Sequence, residues 1–296
     1  MDPANPEPAA VFAGTPVDIA AAYLSPVSPA QFISNPDANL LRKTGWNVWY
    51  SEARPDAVLT TLHAVHGQQA YLVHATADAT WRLTGAVQMP AVRWQPDAFN
   101  LVGFSVSAQA PPTFAQFFGG SAAHRHNRLY RLVEGTWQRV TDPSAQSMRS
   151  GEAFWIYCEG SSRYRGPLTV EAGTERGLVL GSRVAELVVR NASGNPLSAV
   201  IENVIGSPGS LPLTLVVRAV GDPAAPVLDR EVSASSRGWI QPLPPLEAGG
   251  SLRIPIKTRP AEMTSYVQTS VLRLTTDLGA ETWVPVVGVR EDLKSN

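Results

Sequence analysis

Apolar and aromatic residues recur along this chain in short runs, broken by glycine, proline or charge, and not in the long 3.6-residue rhythm of amphipathic helices. Ala70-Tyr71-Leu72-Val73-His74 and Ala153-Phe154-Trp155-Ile156-Tyr157-Cys158 are aromatic and β-branched runs too short for helices, and both predict strands. Leu129 to Val133 and Thr136 to Val140 flank Glu134-Gly135, which predicts a tight hairpin. Thr113 to Phe118 follows two prolines and precedes Gly119-Gly120, the brackets of a short capped helix. Beyond residue 177 the texture changes. Val184 to Arg190, Leu213 to Arg218, Leu252 to Ile256 and Val271 to Thr275 alternate or nearly alternate. Turn signals at Asn195-Pro196, Gly206 to Gly209 and Gly249-Gly250 separate them. Such spacing predicts a β-sandwich whose core is mainly Val, Leu and Ile.

One phrase occurs twice. Gly45-Trp46-Asn47-Val48-Trp49-Tyr50-Ser51 opens one copy and Ala98-Phe99-Asn100-Leu101-Val102-Gly103-Phe104-Ser105 opens the other. A glycine and an aromatic strand follow each opening, at Gly67 with Tyr71-Leu72-Val73 and at Gly151 with Phe154-Trp155-Ile156. Trp81 and Tyr164 each stand ten positions beyond that strand's first aromatic, and Gly85 and Gly166 come next. A first copy of about forty residues is too small to hold a core alone, so the two copies are expected to share one. Asn47 and Asn100, each amid bulky apolar neighbours, are expected to make structural hydrogen bonds from strand to loop.

The fold class is therefore mainly β: a composite domain built from two related repeats, followed by an immunoglobulin-like sandwich. Residues 1–44, with Pro3, Pro6, Pro8, Pro16, Pro26 and Pro29, read as an extended strap. Ile19 to Leu24 within it would form a helical turn or two capped by Asp18. The composite domain covers 45–170 (copies at about 45–90 and 98–170), the polar stretch 171–177 links, and the sandwich takes 178–292.

The repeated openings and their aromatic strands resemble the "GWNLVG…GEAYWV" repeats of large bacterial surface and exported proteins, over roughly residues 45 to 168. The C-terminal part resembles the immunoglobulin-like modules of the same proteins. Leu187-Val188-Val189-Arg190-Asn191 stands for their early strand and turn. Pro244 to Leu252 stands for their "L-x-P-G-x-S-x" turn, with Ala248 where proline is usual. Val271 to Gly279 and Val284-Pro285-Val286 stand for their closing hairpin. Neither type carries a catalytic residue, so the resemblance implies no active site.

Composition narrows the function. The chain has 296 residues, enough for two or three cores; 44% are hydrophobic, 17% charged, and the net charge is −1. That balance lacks the electrostatic footprint of a nucleic-acid partner or a polybasic membrane-surface protein. No apolar stretch is long enough to insert in a membrane as a helix. Cys158 is the single cysteine, which rules out an internal disulfide framework. The first residues lack a secretory signal, leaving a cytosolic protein or a mature exported segment. The low charge and the Ala, Val, Thr and Pro content favour the second, so an extracellular or cell-surface location is expected.

Candidate chemistry is sparse. His63, His66 and His74 form one local group, and His124 and His126 another, but neither has acidic residues at metal-ligand spacing. Cys158, inside an aromatic strand, reads as a small hydrophobe. Asp142 and Glu152 look like solvated turn acids, and Gly119-Gly120-Ser121 lacks a phosphate-loop lysine. Asn191-Ala192-Ser193 fits a glycosylation acceptor. Trp46, Trp81 and Trp155 are assigned to the core. Trp94 and Trp137, beside polar turns, are the candidate ligand-stacking rings. The expected function is non-catalytic and without cofactor or metal: a structural or adhesive module of a bacterial surface assembly, whose partners are other protein subunits or domains. The alternative is a carbohydrate-binding module taking a glycan.

Overall fold

The computed structural model describes residues 1–24, 45–126, 128–181, 183–204, 210–218, 229–233 and 238–290. Pro26, Pro29 and the turn signal at 206–209 lie outside these. The chain opens with β1 (Asp2–Pro3), the single turn α1 (Pro8–Val11) and β2 (Val17–Tyr23). The second of these strands departs from the expected strap and helical turn. It is the central strand of a three-stranded sheet, between β3 (Trp46–Tyr50) and β4 (Tyr71–Ala75). Ala20, Ala21 and Ala22 are wholly buried, because large aromatic neighbours on both faces leave room for methyl groups only. Alanine favours helices in isolation, but pairing on both strand edges overrides that preference. After β5 (Gly85–Ala86), which pairs with β1, the second sheet begins.

That sheet contains β6 (Ala98–Gly103), β7 (Leu129–Val133), β8 (Thr136–Arg139) and β9 (Ala153–Cys158), in the order β6-β9-β7-β8. Glu134 and Gly135 both have positive φ, 48° and 76°, as a two-residue type I′ turn requires. The helix α2 (Phe114–Phe118) starts in a reciprocal cap. Thr113 Oγ1 accepts from the Gln116 N–H (3.2 Å), and Gln116 Oε1 accepts from the Thr113 N–H (2.9 Å).

The two sheets pack face to face. Trp46, Val48, Tyr50 and Leu72 from the first meet Phe99, Leu101, Trp137 and Trp155 from the second in one cluster. A separate outer layer covers each sheet: Val11, Phe12, Leu62 and Val65 over the first, and Phe114, Phe117, Phe118 and Met148 over the second. The copies place corresponding side chains alike. Trp46 and Phe99, like Val48 and Leu101, enter the shared cluster, whereas Tyr71 and Phe154 face the outer layers. Their backbones pair differently: β6 and β9 are antiparallel neighbours, but β2 separates β3 from β4.

The sandwich comprises β10 (Leu168–Glu171), β11 (Leu178–Leu180), β12 (Ala185–Asn191), β13 (Ala199–Val204), β14 (Leu213–Arg218), β15 (Asp229–Ser233), β16 (Ile240–Pro242), β17 (Ser251–Thr258), β18 (Val267–Thr276) and β19 (Glu281–Val289). They form two five-stranded sheets, β10-β12-β17-β14-β15 and β11-β19-β18-β13-β16. The opening strand is split between the sheets, with β10 antiparallel to β12 and β11 parallel to β19, an immunoglobulin-like arrangement. Leu187, Val189 and Ile254 from one sheet interlock with Ile201, Leu272 and Val284 from the other. Pairing of β10 moves the sandwich edge to Leu168, ahead of the polar stretch 171–177. That stretch carries the chain from one sheet to the other and does not divide two domains. Sequence texture missed this because β10 is short and follows directly on the second repeat. Asn191 is buried (1% exposed) and its Nδ2 donates to the Asn195, Leu246 and Glu247 carbonyls, so it is a structural hub and not a glycan acceptor.

The two units are docked. The Ser107 N–H donates to the Gly279 carbonyl (2.8 Å), and the Glu281 N–H to the Ser105 carbonyl (3.0 Å). Gly279 sits at φ +83°, and a Cβ there would lie 1.8 Å from the Ala110 carbonyl oxygen.

Candidate functional site

Three of the five assigned tryptophans, Trp81, Trp94 and Trp137, reverse their expected roles. Trp94 is buried, donates to the Tyr164 carbonyl (2.7 Å) and lies with its ring centroid 4.2 Å from that of His124. Trp137 is buried edge-on to Trp155, because strand alternation points Thr136 and Gln138 to solvent instead. Neither offers a face to a sugar. Trp81, assigned to the core, is 41% exposed, although its indole N–H donates to the Val11 carbonyl (3.1 Å). Trp46 and Trp155 are core residues.

The asparagines separate. Asn100 accepts from the Gln95 N–H (2.7 Å) and donates to the Gln95 and Ala98 carbonyls, tying β6 to the preceding loop. Asn47 is half-buried, and its side chain makes no hydrogen bond among the described residues.

Among the described residues the ionisable groups meet as ion pairs and one small cluster. His74 Nδ1 meets Asp18 Oδ1 at 2.5 Å, and Arg54 bridges Asp18 and Asp56. Burial opposes ionisation of Asp18, but hydrogen bonds from His74 and Arg54 outweigh it and hold the carboxyl below its ordinary range. His126 pairs with Glu159 at the surface. Glu152 is not a solvated acid: it forms a two-pronged pair with the buried Arg131. Asp142 accepts from the Ser144 and Ala145 N–H groups. Burial pushes the Cys158 thiol up to about 11, an unreactive setting. No group of three or more His, Cys, Asp or Glu with metal-binding geometry occurs among the described residues. His124 is buried beside Ser121 (Nδ1 to Oγ, 2.6 Å), and burial lowers its pKa to about 4.

The feature that stands apart is a contrast between the sandwich's two outer faces. On the β10-β12-β17-β14-β15 sheet, solvent meets Glu171, Arg190, the Glu186–Arg253 pair (3.0 Å) and the Lys257–Glu231 pair (2.5 Å). On the other sheet three adjoining rows are apolar except for Thr269. Val204, Val271 and Pro285 are cross-strand neighbours, and so are Thr269, Val287 and Val179 in the next row. Val267 faces Val289 beyond them. Two rows on the opposite side carry charge: Ile240 adjoins Glu202, which pairs with Arg273 at 2.5 Å, with the Arg273 guanidinium over Trp283, and Glu281 stands beside Thr275 in the outermost row. Ile240 is 67% exposed, Val179 57% and Val267 49%. The sequence carried the signal: Trp283-Val284-Pro285-Val286-Val287 is apolar at every position, the mark of a strand whose two faces are both suited to burial.

No family model and no curated protein matches this chain. Among solved structures, a PapD-like domain of human CEP192 is similar at 12% identity and TM-score 0.23, covering 42% of this chain and 84% of that one. The sporulation control protein Spo0M of Bacillus subtilis is similar at 10% identity and TM-score 0.22, covering 41% and 47%. The chain is mainly β, with an immunoglobulin-like sandwich behind an N-terminal unit of two packed sheets and the short β1-β5 pair.

Proposed function

We propose that this chain is a non-catalytic structural or adhesive module of a bacterial surface or exported assembly, acting through contacts with other protein subunits. The apolar outer face of the β11-β19-β18-β13-β16 sheet carries this reading. Contiguous apolar surface of that extent on a soluble domain marks a contact surface. The opposite face, built by the same chain on the same architecture, shows what a solvated sheet looks like here. The repeat resemblance supplies the bacterial surface setting.

A carbohydrate-binding module is the second reading, and the exposed Trp81 ring is the observation that favours it. A glycan array together with electrophoresis through polysaccharide gels tests the pair. A protein-contact module should show no sugar-dependent retention. Retention that disappears in Trp81→Ala would overturn the first reading in favour of the second.

A further inference from the structure

We propose that the apolar face of the β11-β19-β18-β13-β16 sheet closes on the same face of a second copy of this chain, forming a two-fold symmetric dimer. This rests on the protein-contact reading above and names its partner. Area is the first consideration. Five strands about 4.8 Å apart, averaging about six residues at about 3.3 Å per residue, give a face of roughly 500 Å². Two such faces bury about 1,000 Å², near the lower limit for a specific interface. The dimer is therefore concentration-dependent and not obligate.

Charge is the second consideration. A two-fold contact puts the same patch on both sides, so a face with a large net charge repels itself. Here Glu202 and Arg273 neutralise one another within one copy, at 2.5 Å, and Glu281 lies in the outermost row, at the rim. The pair therefore carries no net charge into a contact between two copies. Geometry is the third. Two sheets stacking through apolar outer faces repeat the packing that this domain already uses inside, at about 10 Å separation.

Sedimentation equilibrium on the full chain from about 1 to about 200 µM tests the proposal. The apparent mass should climb from the 31.7 kDa of one chain toward twice that value. Raising salt from about 0.1 to about 1 M should leave the association intact, since apolar contact is not screened. Ile240→Glu and Val287→Glu should each weaken association at least about tenfold, by placing a carboxylate against the partner's apolar surface. Ile240 is exposed enough for its replacement to spare the fold, which the melting curve checks. Val188→Glu on the charged face should change nothing. A single-chain mass at every concentration, or a dimer indifferent to both face variants, overturns the proposal. Either result leaves the protein-contact reading standing for a different partner, whereas sugar retention on the array removes that reading whatever the mass.

Discussion

Lowering the pH from about 7 to about 4 should weaken the N-terminal unit through one side chain, His124. The imidazole is 1% exposed, packs against Trp94, and uses Nδ1 on Ser121, while its Nε2 has no hydrogen-bond partner among the described residues. An unfolded chain binds a proton there near pH 6.5, but the folded protein, in which burial disfavours the imidazolium, does so only near 4. The unfolded state thus holds more protons between those values. Stability is complete above about pH 6.5, falls as the pH drops through the window, and loses nothing more to this group below about 4. At 1.36 kcal/mol per pH unit, the interval corresponds to about 3 kcal/mol. Urea denaturation followed by tryptophan emission reads it, since Trp46, Trp49, Trp81, Trp94, Trp137 and Trp155 all lie in this unit. His124→Leu should cost about 1 kcal/mol at pH 7, from the lost Ser121 bond. It should also remove the titration, so that its stability profile crosses that of the parent between about pH 6 and pH 5. A variant with the same acid profile as the parent, or a His124 titration near 6.5 followed by NMR, would refute the reasoning.

Other consequences are measurable. Asn100→Leu should lower stability by about 1–3 kcal/mol in the same urea assay, because the Gln95 N–H and two carbonyls lose their partner, while Asn47→Leu should cost distinctly less. Equal costs would mean that the two copies use their asparagines alike. Acrylamide should quench mainly Trp81 and the half-exposed Trp283, so a Trp81→Phe, Trp283→Phe double variant should lose most of the quenchable emission. Residual quenching at the parent level would place Trp94 or Trp137 in solvent. Gly279→Ala should cost about 1–3 kcal/mol through its positive φ and its contact with Ala110, and should speed protease cleavage between the two units. Unchanged cleavage would mean that the hairpin tip does not hold them together.

Local signals with a local cause were legible in the sequence. The Glu134-Gly135 turn and the Thr113 to Gln116 cap depend on residues a few positions apart, and both are present as read. The alternation of the C-terminal runs likewise announced the sandwich strands, because one face of each packs inward. What escaped depends on distant partners. Ala20 to Ala22 has the composition of a helix, and only two aromatic strands far along the chain make it a strand. Trp94 and Trp137 sit beside polar turns in sequence, yet burial is decided by the layer above them. The apolar face of β19 was present in its unbroken hydrophobic run, but without knowing which strands adjoin it, one run does not make a surface.

The split opening strand of the sandwich has a mechanical side. Because β11 runs parallel to β19, with Leu178 opposite Val286 and Leu180 opposite Gly288, the entry of one strand and the exit of the other lie at opposite ends of the ladder. Tension drawn along the chain from the repeats toward the C-terminal end then acts along this ladder as shear. Its hydrogen bonds resist together and do not unzip one after another, as they would if a hairpin were pulled open. A sandwich threaded this way holds its shape under a lengthwise pull and yields most easily when pulled apart sideways.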